Sequence, residues 1–344
     1  MGGSKTGRSV ILGIVLAVFI LQVLPGPAQA AINRWKLDFK LSAGTASIPG
    51  GGGDLEILRQ NYEDWAAEWD MLNFKDSALN WDPVSRYSEL RFELLFHSGK
   101  FFGFSLGCGA LAFSSRGELS LTNDVSQSRW WKFVIDEDRS YRQQIDVKAV
   151  PLEFNLYFFV PVWKRISLYA YAGPGIVLGK LDHVYEHHYS YKYNEYHQSP
   201  GDDYARETLY DSRADENARG GALGFQGGMG ALFRLTPFVS LGFESSFRLA
   251  QINSWTGTGA LTYEASERIY RGDEGWGPVT TESGTVTQEG GLWLFYLNSP
   301  DGWEWTPEMF IRTGEPQGED YENVRRVGVS FNSFRFGFVL RFHL

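Results

Sequence analysis

Three closely spaced histidines, His183, His187 and His188, are the residues of this chain that could most directly support chemistry. They lie in the segment DHVYEHHYSYKYNEYHQ, together with the carboxylates of Asp182 and Glu186. Imidazole and carboxylate groups bind divalent transition metals, so the segment is a candidate metal site. The alternative is a tyrosine- and histidine-rich extension of two strands that binds no metal. No other cofactor is expected.

A second set of polar residues alternates with large apolar residues along several segments. In NRWKLDFKL, for example, charged residues occupy one face, and Trp, Leu and Phe occupy the other. The charges on such faces are Lys36, Asp38, Lys40, Glu89, Arg91, Glu93, Glu153, Glu244, Arg248, Arg335 and Arg341. Because cations and anions nearly balance, they could fill an interior as ion pairs. The alternative is a charged pore that selects ions or small solutes.

The alternation itself predicts the elements that carry these charges. An apolar residue at every second position over nine or more residues indicates a β-strand. Eight such strands are predicted: 33–41, 88–96, 101–112, 150–160, 165–179, 223–233, 239–249 and 334–344. Short turns at 97–100, 161–165 and 235–238 alternate with four long connections. These connections, called loops one to four in chain order, lie near 42–86, 114–143, 182–220 and 251–325. An up-and-down meander would therefore place all short turns at one end.

The first thirty residues have the features of a secretory signal peptide. Lys5 and Arg8 precede the apolar run 10–24, and Ala28 and Ala30 occupy the small-residue cleavage positions. The expected domains are therefore a cleaved signal peptide, 1–30, and a β-barrel, 31–344. An uncleaved membrane anchor is the alternative.

Strand length and face composition favour a barrel that spans a membrane over a soluble, lipocalin-like barrel. Strands of about ten residues can cross a bilayer when tilted, and the face of charges and glycines suits an enclosed interior. Long loops at one end are typical of outer-membrane barrels. We therefore predict an all-β, closed, antiparallel up-and-down transmembrane β-barrel of eight strands. Ten strands would result if GLWLFYL, 291–297, also crossed the membrane.

The C-terminal segment FRFGFVLRFHL resembles the assembly signal of bacterial outer-membrane proteins at Gly337, Leu340, Phe342 and Leu344, with Leu344 in place of the usual Phe. The segment VPLEFNLYFFVPVWKRISLYAYAGPGIVLG resembles the central hairpin of OmpA-, OmpX- and OmpW-like barrels. This resemblance implies a bacterial outer-membrane location with extracellular loops. The implied partners are membrane lipid, lipopolysaccharide and the assembly machinery. Upstream, the apolar positions at 327, 329 and 331 have the opposite phase. This predicts either a β-bulge near 332–333 or that the strand leaves the membrane there.

The long connections carry the remaining predictions. An amphipathic helix is predicted in loop one, with Asp54 as its N-cap, from the helical spacing of Leu55, Leu58, Tyr62, Trp65, Trp69 and Leu72. This helix could cap the interior, pack on other loops or lie on the membrane. Loop four is acidic and contains Trp255, Trp276, Trp293, Trp303 and Trp305, and its stretch ESGTVTQEGGLWLFYL, 282–297, indicates a hairpin strand. These aromatics could bind an extracellular protein or glycan, or form a small core of the loops themselves.

The expected function is a structural or recognition role at the cell surface. A narrow, porin-like channel for small or apolar solutes, as in OmpW-like proteins, is the alternative. A lipid A-modifying or other outer-membrane enzyme is less favoured, because no serine and histidine occur at a catalytic spacing on one strand. We therefore expect no enzymatic activity. Nucleic acid is not an expected partner, since the net charge is −9.

Overall fold

The structure, a computed structural model, describes residues 35–49, 52–71, 76–98, 100–128, 132–197, 202–298 and 305–344. The predicted signal peptide lies outside these residues. The elements in chain order are β1 (Trp35–Ser47), α1 (Asp54–Met71), β2 (Asp76–Asp82), β3 (Arg86–Ser98), β4 (Phe102–Ser128), β5 (Lys132–Pro161), β6 (Ile166–Tyr196), β7 (Tyr204–Arg234), β8 (Val239–Ile252), β9 (Trp255–Arg271), β10 (Gly275–Trp276), β11 (Thr280–Asn298), β12 (Trp305–Arg312), β13 (Tyr321–Arg326), β14 (Val329–Ser330) and β15 (Ser333–His343). The protein is thus predominantly β, as predicted.

Antiparallel pairing closes eight of the strands into a ring. Its order is β1, β3, β4, β5, β6, β7, β8 and β15, and β15 pairs back onto β1 from His343↔Asp38 to Phe334↔Ser47. The predicted turns 97–100, 161–165 and 235–238 fall at one end, called the lower end here. The segment 291–297, proposed above as part of extra strands, lies in β11, which pairs with β9, β12 and β13 outside the ring.

The strands continue far above the ring. This contradicts the prediction of a long loop two, whereas in loop three it agrees with the alternative of a tyrosine- and histidine-rich extension of two strands. β4 and β5 remain paired up to Ser128↔Lys132, and β6 and β7 up to Glu195↔Tyr204. β7 exchanges partners along its length, pairing with β8 below Gly224 and with β9 above Gly220. Loop four is therefore mostly sheet. The predicted loops are strands because apolar residues still alternate there, as at Leu119 and Leu121.

The outside of the lower ring is covered by apolar side chains, which we call the belt. On β5 its members are Val150, Leu152, Phe154, Leu156, Phe158 and Val160, each at least 40% exposed. On β15 they are Phe334, Phe336 and Phe338. Higher on β5, the same outward parity carries Arg142, Asp146 and Lys148. The outer surface thus changes from apolar to charged along one strand.

The interior changes in the opposite sense. The inward residues of β5 are Glu153, Asn155, Tyr157 and Phe159 in the lower ring and Val147, Ile145 and Tyr141 above it, and all of them are buried. The upper interior also contains buried Leu119, Leu121, Val177, Leu181, Trp255 and Leu292, which form one hydrophobic cluster. Along the strand, the odd-numbered residues always point inward and the even-numbered residues always point outward. The change in polarity of the two surfaces therefore occurs without any change in which residues face inward.

This switch overturns the predicted β-bulge near 332–333. The register against β8 continues without a shift, from Ser330↔Gln251 to Ser333↔Arg248. Val329 and Phe331 point inward like Arg335, but into the apolar upper interior. The Asn332 side chain accepts a hydrogen bond from the Ala250 N–H at 2.9 Å. The apparent change of phase in the sequence is therefore a change of interior chemistry.

Helix α1 inserts its apolar face into the upper interior. Leu55, Leu58, Tyr62 and Trp65 are buried in the hydrophobic cluster. The Asp54 carboxylate accepts a hydrogen bond from the Gly328 N–H at 2.6 Å and lies 3.4 Å from Arg325, which fixes the helix start to the segment before β14. Of the alternatives left open by the sequence, the helix therefore caps the interior. Among the described residues, no helix is long and apolar enough to cross a membrane.

Candidate functional site

The lower interior holds ten of the eleven predicted interior charges. Each of these ten residues is no more than 6% exposed. They are Asp38, Lys40, Glu89, Arg91, Glu93, Glu153, Glu244, Arg248, Arg335 and Arg341. Lys36 departs from the prediction: it has the same parity but lies near the lower end of β1, where it is exposed to solvent.

Glu244 is the centre of this group, which we call the ring network. Its carboxylate pairs with Lys40 and accepts hydrogen bonds from Arg335 at 3.0 Å and Arg91 at 3.4 Å. The hydroxyls of Tyr169 and Tyr171 donate to it at 2.9 and 3.0 Å. Three cations thus share one buried anion, and without Glu244 the buried charges of the lower interior would no longer balance.

Two further glutamates compensate the same cations from other strands. Glu153 accepts from Arg91 at 2.5 Å and from Arg248 at 2.8 Å. Glu93 accepts from Lys40 at 2.9 Å and from the Tyr157 hydroxyl at 2.6 Å. Together with the contacts of Glu244, these contacts link six strands across the interior, namely β1, β3, β5, β6, β8 and β15. The ring network therefore cross-braces the ring and fills it with side chains.

Three tyrosines of the ring network were missed in the sequence. The Lys40 ammonium lies 5.0–5.4 Å from the ring centroids of Tyr157, Tyr169 and Tyr171, a cation–π arrangement. For Tyr169 and Tyr171 the signal was present in LYAYAG, where tyrosine alternates with alanine. Lipid-facing positions usually carry large apolar residues, but here the outward positions next to the tyrosines carry alanine. The sequence therefore does not indicate which face of this strand points inward.

A smaller polar cluster lies at the lower rim. Asp38 accepts a hydrogen bond from Arg341 Nε at 2.6 Å. The rings of His97 and His343 approach the same carboxylate oxygen at 3.2 and 3.1 Å. His343 also contacts the Ser240 hydroxyl at 2.8 Å. This serine and histidine contact each other from different strands, which a search along single strands could not detect.

The three candidate metal-binding histidines do not converge. His183 points inward, with Nδ1 2.9 Å from Glu216. His187 stacks on Tyr141 with 4.3 Å between ring centroids, and burial lowers its pKa to about 4. His188 has the opposite parity and contacts Asp211 at 2.7 Å. Within the described residues no group of three His, Cys, Asp or Glu side chains could hold a metal ion. Strand alternation places His188 on the face opposite His183 and His187, and the latter two lie four residues apart along β6.

One carboxyl of the upper interior is held in its neutral form. Glu308 on β12 is buried, and this burial raises its pKa to about 8. The Tyr185 hydroxyl donates to its Oε1 at 3.2 Å, while Oε2 has no hydrogen-bond partner. Nearby, the Gln143 amide donates to the Tyr62 hydroxyl of α1 at 2.6 Å. Polar groups therefore link helix and sheet inside the apolar cluster.

On the outer face of the upper sheet lies a groove of about 580 Å³, which we call the upper groove. Its lining includes Arg116, Glu118, Arg142, Glu186 and Arg213, contributed by four neighbouring strands. Arg142 pairs with Glu118 at 2.8 Å, and Arg213 pairs with Glu186 at 2.5 Å. These side chains are about half exposed, so the groove offers charges of both signs to a polar partner.

The tryptophans of loop four divide between the two roles considered for them. Trp255 and Trp293 are buried in the upper part of the molecule. Trp276 is 43% exposed and lies under Arg268, whose guanidinium is 4.4 Å from the indole centroid. Trp303 and the side chain of Trp305 lie outside the described residues.

The predicted assembly signal lies on β15 in the ring. Leu340 and Phe342 point outward, and Leu344 is exposed beyond the strand. Gly337 has a steric role in the closed ring, since a Cβ atom there would lie 2.4 Å from the Ala43 carbonyl oxygen. Whether these residues act in assembly remains a prediction from the resemblance.

Comparison with known proteins adds little to this geometry. The sequence matches no protein-family model and no curated protein. A search of solved structures finds the translocator domain of the autotransporter NalP from Neisseria meningitidis, which is 10% identical, with 99% of this chain and 97% of that chain covered. The TM-score is 0.18, too low to bear on the fold. The similarity to OmpA-, OmpX- and OmpW-like barrels therefore rests on the sequence segments alone.

Proposed function

We propose that the ring is an eight-stranded β-barrel that spans the bacterial outer membrane, with the upper part extracellular. The observation that carries this proposal is the reversal of polarity between the inner and outer surfaces along the same strands. In the lower ring, apolar side chains face outward and charges face inward, whereas the upper part has the usual arrangement of a protein in water. A surface that exposes so much apolar area requires an apolar partner.

The height of the belt supports a bilayer as that partner. On β5 the belt runs from Val150 to Val160. Ten intervals of about 3.3 Å give roughly 33 Å along the strand. With a tilt of about 40°, this corresponds to roughly 25 Å across the membrane, the height of the apolar band in outer-membrane barrels.

The interior favours a structural or recognition role over transport. The ring network occupies the lower interior, and α1 with the hydrophobic cluster occupies the upper interior. A solute would have to displace both. The strands that rise above the belt carry the upper groove, and mixed charges suit a polar extracellular protein or glycan. The other proposed partners are outer-membrane lipid, lipopolysaccharide and the assembly machinery.

Insertion and conductance of the mature protein test this proposal. The protein refolded with phosphatidylcholine vesicles should migrate differently on a gel before and after heating. Protease should spare the belt strands. Failure to enter the bilayer, or a monodisperse protein in buffer without detergent, would contradict the membrane location.

Recording in a planar bilayer separates the surface role from the alternative. We expect no steady conductance from the inserted wild-type protein, because its interior is filled. Steady conductance at neutral pH would instead favour a narrow channel.

A further inference from the structure

Three cations form a row on the outer surface, directly above the belt. Lys148 on β5 is paired in register with Lys180 on β6, and Lys180 with Arg219 on β7. All three have outward parity, and Lys148 and Arg219 are exposed. Since adjacent strands lie about 4.8 Å apart, the outer two residues of the row are separated by roughly 10 Å. We call these residues the cation row.

The nearby carboxylates compensate only the central member. Lys180 pairs with Asp182 on its own strand, at 2.8 and 2.9 Å. Asp146, two residues above Lys148, instead accepts a hydrogen bond from Gln144 at 2.8 Å. Among the described side chains, neither Lys148 nor Arg219 has a carboxylate within 4 Å. Like charges placed opposite each other on adjacent strands are destabilising, so the row is suited to an external anion.

The position of the row identifies the kind of anion. Immediately below it on the same strands are Val150 and Leu178, which are 43% and 50% exposed and belong to the belt. On the other side of Lys148, the paired residues on the next three strands are uncharged. They are Ala112 on β4, Ser88 on β3 and Thr45 on β1. A ligand that matches this face has an acyl portion below and a negative headgroup at the row.

We propose that the cation row binds the phosphate of a membrane lipid in the leaflet next to the upper end. A phosphomonoester suits it best, since two negative charges can engage Lys148 and Arg219 together while the acyl chains lie along the belt. Long lysine and arginine side chains can extend from an apolar surface to a headgroup. This inference rests on the proposed membrane location.

Native mass spectrometry of the mature protein in non-ionic detergent tests the inference with dioleoyl phosphatidic acid as the probe. Each cation near a membrane surface contributes about fivefold to the binding of anionic lipid. The double variant Lys148→Gln, Arg219→Gln should therefore bind the probe about 25-fold more weakly at low salt. Phosphatidylcholine should bind both proteins equally. Inorganic phosphate should not compete at the concentrations where the lipid binds.

A matched control carries Arg142→Gln and Arg213→Gln, which make the same change of charge in the upper groove. It should bind phosphatidic acid like the wild type. Equal weakening in both variants, or no weakening in the first, would overturn the inference, as would competition by inorganic phosphate. If wild type and variants insert into vesicles alike, such a result concerns the cation row alone. If the wild type does not insert, the membrane location itself fails.

Discussion

Two buried glutamates show how interior environment decides the state of a side chain. Glu244 lies among Lys40, Arg91 and Arg335, and its carboxylate accepts their hydrogen bonds. Glu308 lies in the apolar upper interior, with only the Tyr185 hydroxyl bonded to it, and burial raises its pKa to about 8. Glutamate therefore belongs to a network of ion pairs in the lower interior, at Glu244, and to a single hydrogen bond in an apolar environment in the upper interior, at Glu308.

The raised pKa of Glu308 predicts a stability that falls as pH rises. Because the ordinary pKa is 4.5 and that of the folded state is about 8, the folded protein binds this proton more tightly. Its contribution is present below pH 4.5 and is lost as pH rises through 8, with a slope of up to about 1.4 kcal/mol per pH unit. Glu308→Gln, which keeps an acceptor for Tyr185, should remove this slope.

Urea unfolding of wild type and Glu308→Gln at several values between pH 6.5 and 8 measures this difference. His187, whose lowered pKa costs stability only as pH falls below 6.5, contributes little in that range. Parallel stability curves for the two proteins would show that Glu308 is not neutral in the folded state.

Glu244→Gln should destabilise the protein strongly. The substitution leaves Lys40, Arg91 and Arg335 without their shared anion, and removing one partner of a buried ion pair costs about 3–5 kcal/mol. The free energy of unfolding in urea measures the loss. Glu264→Gln, on the exposed surface of β9, should change it by less than about 0.5 kcal/mol. A similar small loss at Glu244 would mean that the ring network does not stabilise the ring.

At the scale of elements, α1 joins parts of the chain that are far apart in sequence. Its N-terminus is attached to Gly328 and Arg325, and its buried face meets β2, β4 and β12. Tyr62 and Trp65 contact each other edge to face, and Trp65 packs on Tyr141 of β5 at 4.7 Å. The helix therefore closes the upper interior as part of the core.

Leu58→Ala should lower the free energy of unfolding, because it removes part of this packing. Leu58 is fully buried on α1, and shortening a buried leucine to alanine costs about 2–5 kcal/mol. Gln60→Ala, on the exposed side of the same helix, is the matched control. Tryptophan fluorescence during urea unfolding reports the difference. Equal stability of both variants would indicate that the helix does not pack into the upper interior.

At the scale of the whole molecule, the proposed membrane location requires the belt to face lipid. Leu156 lies near its middle and is 62% exposed. Leu156→Arg should weaken folding into phosphatidylcholine vesicles by about 2–4 kcal/mol, the cost of arginine at the bilayer midplane. Thr258→Arg, outward on β9 above the belt, should have little effect. If Leu156→Arg were instead neutral, the belt would not face lipid.

The all-β architecture and the turns of the lower end could be predicted from the sequence because they depend on local patterns. Alternation of apolar residues specifies strands, and the short segments at 97–100, 161–165 and 235–238 join consecutive strands directly. The helix in loop one was predicted for the same reason, since helical spacing at Leu55, Leu58 and Tyr62 is a local property. These features need no knowledge of distant contacts.

Only the tertiary structure decided where the interior changes from charged to apolar. Because of that change, residues 114–143 were predicted as a long connection and a β-bulge was predicted near 332–333, although parity is constant. The partners of Glu244, the separate environments of His183, His187 and His188, and the place of α1 depend on strands that are distant in sequence. Alternation in the sequence predicts which residues share a face of a strand. Which side chains they contact across the interior is determined by ring closure and by the register between strands.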